Sequence, residues 1–166
     1  MNRTVTAVPL RLAFAGVLTL MTGCNNTTRG TESPPVPTPS PTQYTLITQG
    51  EFVDLPSSQG SKANAVSATK AIPFAFTPPM SFTGSLQAQV NWTSPTDSLA
   101  VAFYPGGCTS EQLGVGSCAP LAEGTSSGAT GETVFLNTPA AGKYVLGIVN
   151  LGPAPESGAY QVTLAQ

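Results

Sequence analysis

Three cysteines, eight carboxylates and three lysines are the reactive side chains of this 166-residue chain, which contains no histidine. The absence of His removes the commonest general base and the commonest metal ligand. A nucleophilic triad would need a Ser paired with Lys62, Lys70 or Lys143, and none of these lysines lies in a recognisable motif. We therefore expect the protein not to be an enzyme.

The acidic residues are the next candidates for chemistry, as a carboxylate pair for glycoside hydrolysis or as ligands of Ca²⁺. Most of them fall in predicted turns or at strand ends, where a solvated charge is the ordinary interpretation. A calcium site would draw on Asp97 with Asn91, or on Glu51 with Asp54. We expect no catalytic pair, no metal and no cofactor among the following acids: Glu51, Asp54, Asp97, Glu111, Glu123, Glu132 and Glu156.

Cys24 follows an N-terminal segment with the layout of an export signal. Arg3 and Arg11 precede the apolar run LAFAGVLTLM, residues 12–21, and small residues follow it. This order is typical of a secretory signal peptide. The run is too short for a permanent membrane span, which needs about 20 apolar residues. From these residues alone, Cys24 could still be incidental to an ordinary signal.

The sequence LMTGC at residues 20–24 resembles a bacterial lipobox, with Met21 where Leu is usual. The resemblance implies cleavage after residue 23 and lipidation of Cys24. It also implies that Asn25, in place of Asp, directs the protein away from the inner membrane. We expect an exported protein that is lipid-anchored to the cell envelope, at the outer membrane or the cell surface.

Cys108 and Cys118 are the two cysteines that remain, an even pair in an exported and therefore oxidising compartment. The nine residues between them contain two glycines, so the segment can bend back on itself. A metal site is the alternative, but the sequence offers no His and no third free thiol to complete it. We predict a disulfide that closes a loop.

Residues 24–43 are predicted to form an extended linker, because five prolines lie between Pro34 and Pro41. A spacer is the favoured interpretation, and a Pro-rich ligand for an aromatic groove is the alternative. From Cys24 onward the chain has four basic and eight acidic side chains, a net charge of −4. Such a chain is not attracted to an anionic membrane surface, and its scattered cations give no indication of nucleic-acid binding.

Residues 44–166 show a period of two, which indicates β-strands with one buried face. In SLQAQVNW, residues 85–92, the apolar residues alternate with polar ones and include Trp92, which we expect in the core. SLAVAFY, residues 98–104, continues the pattern after a turn, and we predict a hairpin of these two strands. Pro73 indicates an edge strand, and the doubly apolar run 142–150 a central one. The fold class predicted is all-β, an antiparallel β-sandwich of seven or eight strands.

The end of the chain resembles the bacterial pre-peptidase C-terminal domain, whose jelly-roll-like sandwiches typically close with a Pro-Ala-Gly-x-Tyr run followed by Asn-x-Gly and a final Tyr strand. The similarity covers about residues 70–166. It implies a non-catalytic accessory domain, and the calcium-binding acids of some relatives have no counterpart here. The matching positions are Pro139, Ala141, Gly142, Tyr144, Asn150, Gly152, Tyr160, Val162 and Leu164.

Tyr104 is the aromatic residue that the pattern places away from the core, beside the flexible Pro105-Gly106-Gly107. Together with Gln87, Gln89 and Asn91 it is our candidate for a ligand-binding face. We predict an envelope lipoprotein that presents a non-catalytic interaction or structural module to an unidentified envelope protein. The alternative function is a module that binds envelope or extracellular polysaccharide.

Overall fold

The structure, a computed structural model, describes residues 42–80, 82–127 and 129–166, with the side chain of residue 127 left out. The predicted signal peptide, Cys24 and all but the last two residues of the predicted linker lie outside these ranges. The elements are β1 (Tyr44–Leu55), α1 (Lys62–Ser67), β2 (Thr69–Phe76), β3 (Ser85–Trp92), β4 (Ser98–Pro105), α2 (Ser110–Gly114), β5 (Ala122–Ser127), β6 (Gly131–Asn137), β7 (Gly142–Asn150) and β8 (Glu156–Ala165).

The strands form two antiparallel sheets of four strands each. The first sheet has the order β1-β8-β3-β6 and the second the order β2-β7-β4-β5. This order, in which β4 and β5 are the one pair of sheet neighbours that are consecutive strands, is that of an eight-stranded jelly roll. The predicted antiparallel β-sandwich is therefore confirmed. Within the described residues, neither helix is long and apolar enough to cross a membrane.

The core lies between the inward faces of the two sheets and follows the alternation of the sequence. In β3, Leu86, Ala88 and Val90 are fully buried, and Trp92 is 4% exposed, as predicted. In β4, Leu99 and Phe103 occupy equivalent inward positions and are also fully buried. The inward side chains thus pack between the two sheets, and in β3 the polar residues between them point to the outside.

The positions predicted for two strands of the second sheet are confirmed. β2, which contains Pro73, is an edge strand, so the missing N–H of the proline costs no ladder hydrogen bond on its free side. β7 is central, between β2 and β4. Its outward residue Val145 is only 2% exposed, which explains why this strand is apolar on both faces.

The predicted β3–β4 hairpin is wrong. β3 pairs with β6 and β8, whereas β4 pairs with β5 and β7 in the other sheet. Residues 93–97 therefore carry the chain across the end of the sandwich. Alternation identifies the inward face of a strand, but it does not distinguish a neighbour in the same sheet from a partner across the core.

Three local elements go beyond the sequence prediction. Residues 44–55 form one strand with register shifts. The two helices are capped by Ser61 and by a capping box of Thr109 and Gln112, but each is shorter than two turns, too short for a 3.6-residue period to appear. β5 is polar and pairs with β4 at the edge of the second sheet.

Cys108 and Cys118 form the predicted disulfide, with their Cα atoms 6.3 Å apart. Helix α2 lies inside the loop that this disulfide closes, and its Leu113 is 7% exposed. The disulfide therefore constrains a short helix that covers part of the outer face of the second sheet.

Candidate functional site

The four residues predicted to share a binding face lie on different sheets. Gln87, Gln89 and Asn91 belong to β3 and point outward from the first sheet, since the residues between them are buried. Tyr104 belongs to β4 and points outward from the second sheet, on the opposite side of the molecule. The grouping of Tyr104 with the three β3 residues is therefore wrong, because it followed from the incorrect hairpin.

Tyr104 is not an open aromatic platform. Its ring packs over Gly147 of β7, where a Cβ would lie 2.7 Å from Tyr104 Cε2 and 3.1 Å from Leu113 Cδ1. Burial raises the pKa of the Tyr104 hydroxyl, and the charge of Glu123 raises it further. The side chain is thus part of the packing that covers the outer face of β7.

The three β3 residues belong to a polar surface that crosses all four strands of the first sheet. Gln89 is paired in register with Gln161 of β8 and with Thr133 of β6, and Gln161 is paired with Gln49 of β1. Gln161 Nε2 donates a hydrogen bond of 2.7 Å to Gln89 Oε1. We call the outward surface built on this row, from β1 to β6, the amide face.

A shallow depression of about 360 Å³ lies beside this row on the amide face. Ala159 lies between Glu51 of β1 and Asn91 of β3 in the register of the sheet, and its small side chain leaves the space open. The two glutamines Gln49 and Gln161 line the depression on the side of the central row. Three of its seven lining residues carry amide groups, and Glu51 adds one carboxylate.

Apolar side chains lie on the other side of the central row. Leu46 and Phe135 are each 51% exposed and stand at the two edges of the row that contains Thr163 and Gln87. An exposed aromatic ring at an edge strand, next to amide groups, offers an apolar surface and hydrogen-bonding groups together. Sequence reasoning missed Phe135, Gln49 and Gln161 as site residues, although each is outward in the same alternation as Gln89.

The amide face offers neutral hydrogen-bonding chemistry. Each Asn or Gln side chain carries an acceptor oxygen and two donor hydrogens, so it can bond to a hydroxyl group in either direction. Glu51 supplies the one carboxylate among the residues that line the depression. The surface thus fits a flat, hydroxyl-rich, uncharged ligand better than an ion or a phosphate.

A second cluster of functional groups lies at the end of the sandwich where residues 93–97 cross between the sheets. It contains two buried carboxyl groups, with Asp97 1% and Glu156 2% exposed. Glu156 accepts hydrogen bonds from the backbone N–H groups of Thr93, Ser94 and Ser157 at 2.8–3.2 Å, and from the Thr93 hydroxyl. Sequence reasoning had treated both acids as solvated turn residues, which is wrong.

The pKa values of the two carboxyl groups are shifted in opposite directions. Burial opposes ionisation of Glu156, but hydrogen bonds from Thr93, Ser157 and Ser94 hold its pKa below the usual range. Burial raises the pKa of Asp97, as do the charge of Glu156 and a hydrogen bond with it, while a backbone hydrogen bond at Ala154 acts in the other direction. In the part of the chain that the structure describes, no three His, Cys, Asp or Glu side chains gather as metal ligands.

Several residues of the pre-peptidase-like pattern have structural roles near this cluster and at the other end of β7. Asn150 is fully buried; its Nδ2 donates to the backbone oxygens of Leu55 and Ala154, and its Oδ1 accepts from the N–H of Gly152. The Tyr144 hydroxyl donates to the backbone oxygen of Ala140 at 2.7 Å. These positions hold turns in place and offer no group to a ligand.

Comparison with known proteins identifies no family for this chain. No protein-family model matches the sequence, and no curated protein matches it. Among solved structures, a chain of deformed wing virus, a honeybee pathogen, is similar with a TM-score of 0.40 at 12% identity, and a chain of the same virus carrying the GFP gene with 0.40 at 14%. Each similarity covers 98% of this chain and 58% of the viral chain.

Proposed function

We propose that this protein is a lipid-anchored envelope lipoprotein that presents a non-catalytic jelly-roll domain as an interaction module. The observation that carries the proposal is the order of residues 1–24, in which two arginines, an apolar run and two small residues precede Cys24. The resemblance of residues 20–24 to a lipobox supports lipidation at Cys24. The proline-rich residues that follow suit a spacer between the anchor and the domain.

The anchor has a clear physical basis. A diacylglyceryl group and an N-acyl chain at Cys24 would supply two or three acyl chains, each stabilised in the bilayer by about 0.8 kcal/mol per buried CH₂. Two chains are sufficient for stable anchoring, whereas one gives only reversible binding. The net charge of −4 beyond residue 23 offers no attraction to anionic lipids, so we infer that the domain stands away from the membrane.

Labelling with radioactive palmitate in the producing bacterium tests the proposal. We expect the wild-type protein to be labelled and to fractionate with membranes, and the Cys24→Ser variant to be unlabelled. The Cys108→Ser/Cys118→Ser double variant is the matched control, because it removes two cysteines and keeps Cys24. Equal labelling of the wild-type and Cys24→Ser proteins would contradict lipidation.

A second candidate function, binding of neutral polysaccharide, is favoured by the amide face. Its central row places Gln49, Gln161, Gln89 and Thr133 side by side across four strands. With strands about 4.8 Å apart, the row is roughly 14 Å long, which matches about three sugar units. Alternating hydroxyl groups on such a chain would find both donors and acceptors.

Affinity electrophoresis in gels that contain a neutral glucan, mannan or galactan tests this second candidate. Retardation by one of these polysaccharides, insensitive to salt, is expected if neutral hydrogen bonds and ring contacts dominate. Retardation only by an acidic polysaccharide, abolished by salt, would contradict binding at a face whose lining carries one negative and no positive side chain.

A further inference from the structure

We propose that Asp97 and Glu156 form a buried proton-binding site, in which one proton held between their carboxyl groups ties the two sheets together at one end of the sandwich. Asp97 directly precedes β4 of the second sheet, and Glu156 is the first residue of β8 in the first sheet. The Asp97 N–H donates to the Ser94 backbone oxygen, and the Ser94 N–H donates to Glu156 Oε2, so both acids belong to the crossing at residues 93–97. A proton shared by their carboxyl groups would therefore join the two sheets there.

Charge balance supports the proton. Both carboxyl groups are at least 98% buried, and the segments that surround them, residues 93–97 and 151–158, contain no Lys or Arg. The cations of the described residues, Lys62, Lys70 and Lys143, lie on α1, β2 and β7. Two ionised carboxylates without a counterion would carry a large desolvation cost, so one of them stays protonated.

The neighbouring strands add no positive charge beside the two carboxyl groups. The end of β1 contributes one ionisable group, Asp54, which is exposed and whose backbone N–H donates to Ser157 Oγ. β3, β4 and the segment 56–59 contribute no charged side chain near the pair. These elements therefore bring no counterion to the two carboxyl groups.

The distribution of hydrogen-bond donors decides which carboxyl group carries the proton. Glu156 accepts three backbone N–H groups and one hydroxyl, the environment of a stable carboxylate. Asp97 Oδ1 is buried and has no hydrogen-bond partner among the described residues. A protonated Asp97 resolves both problems, because its O–H donates to Glu156 and no second charge is buried.

A cation such as Ca²⁺ would be a poor substitute for the proton. Calcium needs roughly six to eight oxygen ligands, whereas the lone pairs of Glu156 already face N–H and O–H donors. A third carboxylate is not gathered here in the described structure. The donor set thus fits a carboxyl–carboxylate pair.

The proton gives the protein a defined response to pH. Since the folded-state pKa of Asp97 is raised, its contribution to stability is fully present below the unfolded pKa and is lost as pH rises through the folded pKa. Deprotonation leaves two buried negative charges without a counterion. We expect the link between the two sheets to weaken at that point.

The experiment compares melting temperatures of the full chain and of its Asp97→Asn variant from pH 4 to pH 9. Asn keeps a donor for Glu156 and cannot lose it, so we expect the variant to gain stability relative to the wild type as pH rises. Asp54→Asn, the same substitution at an exposed acid, is the matched control. A difference between Asp97→Asn and wild type that stays constant with pH would overturn the proposal.

A direct measurement covers the case in which the Asn side chain does not fit. Carboxyl ¹³C chemical shifts of the wild-type protein should show Asp97 still protonated above the usual pH range in which an Asp side chain ionises. Ionisation of Asp97 within that usual range would overturn the proposal. An increase in melting temperature on addition of Ca²⁺ that is absent from Asp97→Asn would also overturn it, in favour of a metal site.

Discussion

Gly152 lies directly against the carboxyl group of Asp97, and a Cβ built on the glycine would be 2.4 Å from Asp97 Oδ1 and 2.8 Å from Asp97 Cβ. The close approach is backbone against side chain, inside a turn whose Gly152 N–H is already bonded to Asn150 Oδ1. The Asn-x-Gly at 150–152 thus has a physical reason. Asn150 fixes the turn, and the glycine leaves room for the buried acid.

We expect Gly152→Ala to destabilise the protein, because the added methyl group meets Asp97 at less than contact distance. Overpacking of this kind costs typically about 1–3 kcal/mol. Gly142→Ala is the matched control, since the nearest atom to a Cβ there is Tyr144 Cε2 at 4.0 Å. Chemical denaturation of both variants measures the effect, and equal stability of the two would contradict the close approach.

Replacing Asn150 by Ala should lower the free energy of unfolding by about 2–4 kcal/mol. The change leaves the backbone oxygens of Leu55 and Ala154 and the N–H of Gly152 without their buried partner, and each unsatisfied group costs about 1–3 kcal/mol. Asn137→Ala, at an exposed position of β6, is the control and should change stability little. Thermal melts that show no loss for Asn150→Ala would refute this role.

Glu156→Gln should reduce stability most strongly at neutral pH. The folded-state pKa of Glu156 is lowered, so its contribution is present above the unfolded pKa of about 4.3 and is lost as pH falls through the folded value. Hydrogen bonds to a charged group contribute about 1.5–3 kcal/mol. Melting temperatures should therefore differ between wild type and variant at pH 7 and converge at low pH, with Glu51→Gln at an exposed position as the control variant.

The sequence was sufficient to predict the architecture but not the neighbours of each strand. The alternation of Leu86, Ala88 and Val90 with glutamines identifies the inward face of β3, and the apolar run 142–150 identifies a covered central strand. Both follow from local periods. The pairing of β3 with β8, some 70 residues away, is set by closure of the jelly roll, which no local pattern reports.

The buried carboxyl pair was missed for the same reason. Asp97 lies in a Ser-Pro-Thr-Asp turn, and Glu156 follows a Pro-Ala-Pro segment; each is an ordinary surface sequence taken alone. Their burial results from the approach of two turns about 60 residues apart. The signal available in the sequence is indirect: no cation lies near either acid, so burial of one would require a proton or a set of N–H donors.

Loss of the disulfide should destabilise the protein without changing its fold. The chain-entropy model gives about 2.8 kcal/mol for a loop of this length, and the loop contains α2, which packs through Leu113. We expect the Cys108→Ser/Cys118→Ser variant to melt at lower temperature with an unchanged far-ultraviolet circular dichroism spectrum. Titration of the denatured, unreduced wild-type domain should find neither thiol free; two reactive thiols would show that the bond does not form.

Phe135→Ala and Gln161→Ala should each weaken binding of a neutral polysaccharide, if the amide face is the binding surface. Phe135 is 51% exposed at the β6 edge, and loss of an aromatic contact of about 0.5–1.5 kcal/mol corresponds to roughly 2- to 10-fold in affinity. Gln161→Ala removes the amide that bonds to Gln89 at the centre of the face.

The matched control for these variants is Val115→Ala, which removes an exposed apolar side chain next to α2, away from the first sheet. Affinity electrophoresis against the polysaccharide that retards the wild type should then distinguish binding at the amide face from binding at the surface beside α2. Weaker retardation of Phe135→Ala and Gln161→Ala, with Val115→Ala unchanged, is the expected result. Loss of binding in Val115→Ala alone would move the site to the second sheet, where Tyr104 lies over Gly147, and would refute the amide face.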